Sequence, residues 1–120
     1  QGVAIQGYDP VAYFTASQAV RGSEDHAAAY GGATWWFASE ANRRTFVSNP
    51  DKYVPAYGGH CPCGLAEDEL CRGEPTTWDI HEGRLYLCSN AESLETFRSD
   101  REAVLKKADA SYRKRMDVWY

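Results

Sequence analysis

The chain has 120 residues, 43% of them hydrophobic and 25% charged, with a net charge of −4 at neutral pH. That length is one domain able to bury a core without staples, and the balance excludes a disordered chain. The acidic surplus argues against a nucleic-acid partner, whose backbone asks for a basic face.

The longest uncharged apolar run, Ala33 to Ala38, is far too short to span a bilayer. Gln1 is an unusual first residue for an open reading frame and suggests a removed leader or a trimmed end. Aromatic residues make up 13% of the chain, so few side chains are needed to fill a core.

In chain order, Asp9-Pro10 predicts the start of a short helix: Asp caps free N–H groups, and Pro in the first position gives up no needed hydrogen bond. Gly31-Gly32 between Ala27–Tyr30 and Ala33–Phe37 predicts a two-residue hairpin with Ala28 facing Trp35. Ser39 with Glu40 opens a second helix that Asn49-Pro50 stops.

Next comes a glycine-rich turn, Tyr57-Gly58-Gly59-His60-Cys61-Pro62-Cys63-Gly64, too rich in glycine for a helix or strand interior, followed by one or two helical turns over Leu65–Leu70. A second hairpin turns at Glu82-Gly83 and places Trp78, Ile80, Leu85 and Leu87 on the core face, with Tyr86 and Cys88 opposite. Residues 90–120 are helical, with a joint at Ser99 capped by Asp100; Leu94, Phe97, Leu105, Met116 and Trp119 fall near helical spacing. No internal repeat, low-complexity tract or linker is evident. The expectation is a single α+β domain over residues 1–120: two β-hairpins forming an antiparallel sheet, short helices and a C-terminal helical tail.

Several of these stretches carry a resemblance. Gly7-Tyr8-Asp9-Pro10-Val11-Ala12-Tyr13-Phe14 and Trp36-Phe37-Ala38-Ser39-Glu40-Ala41-Asn42-Arg43 resemble secreted bacterial YHS-domain proteins, as do Asn49-Pro50, Tyr53-Val54-Pro55, Tyr57-Gly58-Gly59 and the Trp78–Leu87 hairpin. The resemblance implies a small α+β fold, export to the periplasm or beyond, and association with metal proteins such as copper-transporting ATPases. Cysteines common in the short family module fall where this chain has Ala12, Ala38 and Asn42, so that site is absent. Long members carry a counterpart of Cys61; Cys63, Cys71 and Cys88 are this chain's elaboration.

The four cysteines support three chemistries. Soft thiolates select copper(I), zinc or an iron–sulfur cluster, and Cys61-Pro62-Cys63 with Cys71, Cys88 and His60 forms the candidate metal set, copper fitting the spacing best. Two structural disulfides are the alternative. Cys61 and Cys63 are too close to pair comfortably, which leaves Cys61–Cys71 with Cys63–Cys88 or Cys61–Cys88 with Cys63–Cys71, in a domain that would serve a protein partner.

A thiol redox protein is the third reading, disfavoured by Glu67-Asp68-Glu69, whose charge opposes a free thiolate. No catalytic turnover is expected. His26 and His81 read as surface residues, Trp35-Trp36 as half core, and Arg113-Lys114-Arg115 as a solvated basic face.

Overall fold

A computed structural model describes residues 2–118, with side chains as far as Arg115. The protein is α+β and divides into two compact units, residues 2–55 with 80–85 and residues 56–79 with 86–118.

In the first unit, α1 (Ala12–Thr15) follows Asp9-Pro10, and β1 (Ser23–Tyr30) pairs antiparallel with β2 (Ala33–Phe37) across Gly31-Gly32. Ala28 faces Trp35, as expected, small against large. Ser39 accepts the Asn42 N–H at 3.1 Å to open α2 (Glu40–Ser48), and Pro50 opens α3 (Pro50–Tyr53). The unit's core is Val11, Trp35, Phe37, Phe46 and Tyr53, with the Phe46 ring against Phe37 and Trp35.

The second unit starts its helix earlier than expected. α4 spans Pro62–Ala66, so the Cys-Pro-Cys-Gly run is the opening of a helix rather than a bare turn. Pro62 takes the first helical position; in the first unit α1 starts two residues after Pro10, later than expected, with Asp9 accepting the N–H groups of Val11 and Ala12. β3 (Trp78–His81) and β4 (Arg84–Leu87) form the second hairpin, turning at Glu82-Gly83 as expected.

This hairpin does not join β1 and β2; each hairpin is a sheet of its own. Nor does β4 have one core face. Leu85, Tyr86, Leu87 and Cys88 are all buried; Tyr86 and Cys88 pack with Phe97, Leu94, Val104 and Leu105 of the two helices that follow. Asn90 accepts the Ser93 N–H at 2.8 Å to open α5 (Ala91–Ser99), and Asp100 accepts from Ala103 ahead of α6 (Arg101–Val118). Trp119 lies outside the described residues, as does the side chain of Met116. Buried Asp79 is neutralised by Arg101 at 2.7 Å.

The backbone carries a repeat that the residue pattern does not display. Among the described residues twelve have positive φ, and they pair off between the halves in order: Ile5 with Tyr57, Gln6 with Gly58, Gly7 with Gly59, Ser17 with Asp68, Gly31 with Glu82, Gly32 with Gly83. Left-handed backbone is costly for side-chain-bearing residues, most of all for β-branched Ile5, so six coincidences of sign and order are not incidental.

The hydrogen bonds repeat with them. Tyr8 bridges Arg21 as His60 bridges Arg72, and Gly22 donates to Gly7 as Gly73 donates to Gly59. Asp9 donates to Val20 as Cys61 donates to Cys71, each at 2.8 Å. The helices after each hairpin, α2 and α5, bury equivalent phenylalanines, Phe46 and Phe97.

Candidate thiol site

Two segments of the second unit build the site. The left-handed run Tyr57-Gly58-Gly59 folds the chain back so that His60 N–H reaches the Tyr57 carbonyl, while Gly73 N–H ties Gly59 down at 2.9 Å. This sets Cys61 at the cap position of α4, with its side chain fully buried. The second segment is the end of the β3–β4 hairpin. Cys88 N–H donates to Thr77 at 2.7 Å and its carbonyl accepts from Glu74, fixing the sulfur of Cys88 and the Ser89 that follows.

These segments converge on one sulfur. The Cys88 thiol donates to Cys61, and the Gly64 N–H, the Ser89 N–H and the Ser89 hydroxyl also point at it; against the opposing effect of burial they lower the Cys61 pKa to about 4. The neighbours move the other way. Cys88 is pushed up by that hydrogen bond to Cys61, by burial and by the charge beside it. Cys63 is raised to about 11 by burial and then by the Cys61 charge, and its S–H donates to the Ser93 carbonyl at 3.2 Å. The three sulfurs share protons as a set, and the charge settles on Cys61 because only Cys61 also receives backbone donors.

Of the other expected site residues, Cys71 packs against the core that holds Cys61 and Cys88, and its carbonyl accepts the Cys61 N–H at 2.8 Å. Cys71 is half-buried and lies behind Gly64, where an added Cβ would sit 2.9 Å from its sulfur. His60 holds its Nδ1 against the Tyr57 carbonyl at 2.9 Å. Among the described residues no group of three or more His, Cys, Asp or Glu side chains is arranged to hold a metal ion. All four cysteines are free thiols.

Cys63 and Cys71 line a surface cleft with Glu67, Glu69, Glu92 and Glu95. The expected opposition of Glu67-Asp68-Glu69 to a thiolate holds at Cys63, where the Glu67 charge adds to the rise, and not at Cys61. Asp68 is turned onto Ser111, Lys114 and Arg115, and the Cys61 charge is met by local donors. Ser89 and Gly64 carry that effect and were not among the expected site residues; the signal for Gly64 was the cap-and-proline pattern shared with Asp9-Pro10.

No family model matches the chain, and no curated protein or solved structure does either. The YHS resemblance therefore rests on its own residues. Among the described residues no helix is long and apolar enough to cross a membrane.

Proposed function

We propose that the chain is a thiol redox protein in which Cys61 and Cys63 form and break a disulfide, donating it to dithiol substrates. The observation that carries this is the convergence of four hydrogen-bond donors on the buried Cys61 sulfur, which lower its pKa, beside the half-exposed sulfur of Cys63, whose pKa is raised.

A cysteine pair separated by one residue is strained when bridged, and a strained bridge whose reduced form is stabilised is an oxidant. A substrate thiolate attacks Cys63, the sulfur on the cleft. The Cys61–Cys63 bond breaks and its electron pair stays on Cys61, a good leaving group because it is already an anion at neutral pH. The substrate's second thiol gives up its proton and attacks its own sulfur in the mixed disulfide, releasing Cys63, which takes up a proton. The substrate leaves as a disulfide and the protein keeps one thiolate and one thiol; counted from the substrate dithiol, the one proton that goes to solvent is that lost in forming the attacking thiolate. A more oxidising disulfide restores the bridge by the reverse exchange.

In this scheme Cys88 is a positioning residue, a proton donor to the Cys61 anion. Export, suggested by the family resemblance, would place the reaction in a compartment where disulfides persist. The test is oxidation of a two-cysteine peptide by the oxidised protein. C61S and C63S abolish it and C71S leaves it within about two-fold, since Cys71 takes no part in the exchange. Activity surviving in C63S contradicts the scheme. Stoichiometric copper or zinc on the reduced protein would return the thiols to the metal reading.

A further inference from the structure

We infer that the chain is a fused duplication of one half-length module, and that Cys61 occupies the socket which in the first half holds the carboxylate of Asp9. The inference does not depend on what Cys61 reacts with.

Asp9 is fully buried. Its Oδ1 accepts from the N–H groups of Val11 at 2.8 Å and Ala12 at 3.3 Å. Its Oδ2 accepts from the N–H of Ala38 and the side-chain amide of Asn42, both at 2.8 Å. Asp9 stands before Pro10 at the opening of a short helix, two residues after Gly7. Cys61 stands before Pro62, two residues after Gly59, equally buried.

In the order already set by the positive-φ pairs, Ala12 corresponds to Gly64 and Ala38 to Ser89. These are the two backbone N–H groups that point at the Cys61 sulfur. One socket, assembled from the start of a helix and the residue after a hairpin, is thus built twice. The donors that the two halves share lie in the backbone, so those survive a change of side chain around them.

A ring of N–H donors with no acceptor rewards an anionic side chain and leaves a neutral one with unmet donors. In the first half the anion is a carboxylate, inert to redox chemistry. In the second half the same donors face a thiol and hold it ionised, so a reactive thiolate arises here without a cationic neighbour. Cys88, in place of Phe37, adds a sulfur donor that the first half lacks.

The test exchanges the two residues in the full chain. Cys61→Asp is expected to melt within a few degrees of the parent, whereas Cys61→Ala, which leaves the donors unmet, melts about 5–15 °C lower. A Cys61→Asp protein no more stable than Cys61→Ala overturns the inference.

Asp9→Cys supplies the reciprocal measurement. Thiolate absorbance near 240 nm at pH 6 is expected to rise from one equivalent to two, and a fifth thiol that stays protonated at that pH overturns it as well. A failure of peptide oxidation with both exchanges behaving as stated would count against the redox reading alone.

Discussion

At the scale of single residues, the protein's chemistry is decided by which sulfur keeps its proton. Ser89 gives Cys61 two donors, one from the backbone and one from the hydroxyl. Ser89→Ala removes only the hydroxyl, and a hydrogen bond to a charged group is worth about 1.5–3 kcal/mol. The variant is expected to raise the apparent thiolate pKa by about one to two, read from the absorbance titration near 240 nm.

The same charge links stability to pH. The Cys61 pKa is lowered in the folded state, to about 4, against about 8.5 in an unfolded chain. Between those values the unfolded state binds more protons, so the contribution is complete above about pH 8.5 and disappears as pH falls toward 4. The margin of the parent over Cys61→Ala in urea midpoint should therefore shrink from pH 8 to pH 5. A margin that is constant or grows in that direction would mean that Cys61 is not charged in the folded protein.

At the scale of elements, the hairpins and helices repeat a plan whose tightest points are glycines. A Cβ on Gly22 would meet the Trp36 backbone at 2.5 Å, and one on Gly73 would meet Leu87 Cβ at 2.5 Å and the Gly59 carbonyl at 2.6 Å. Backbone cannot yield as a flexible side chain can, so Gly22→Ala and Gly73→Ala should each cost on the order of 3 kcal/mol or more in chemical denaturation. Gly2→Ala, with open space around it, should be neutral. The helix caps pair in the same way: Ser39→Ala and Asn90→Ala should each cost about 1 kcal/mol. A large cost at one glycine and none at its counterpart would break the correspondence between the halves.

At the scale of the whole molecule, the α+β class, both hairpin turns, the Ser39 cap and the Asp100 joint were legible because each rests on local chemistry. The duplication was not, because what repeats is backbone conformation rather than residue identity. Ile5 and Tyr57, Gln6 and Gly58, and Ser17 and Asp68 share a left-handed φ and little else. Only scattered identities mark it, chiefly Arg21-Gly22 with Arg72-Gly73 and Thr45-Phe46-Val47-Ser48-Asn49 with Thr96-Phe97-Arg98-Ser99-Asp100.

The thiolate was hidden for a related reason. Its donors come from Gly64 and Ser89, far apart in sequence, whereas in the neighbouring acidic run Asp68 faces other partners and Glu67 acts on Cys63. The gathering of Cys61, Cys63 and Cys88 likewise needed the hairpin to deliver Cys88, which sequence spacing alone does not show.

The measurement that bears most directly on the redox account is the equilibrium between the protein and glutathione buffers of graded potential, with peptide mapping of the bridge. The account predicts a single labile bridge between Cys61 and Cys63 with a potential above about −200 mV, on the oxidising side where the reduced form is stabilised. A bridge that persists below about −300 mV would be structural. That result, or no Cys61–Cys63 bridge at any potential, would contradict the account.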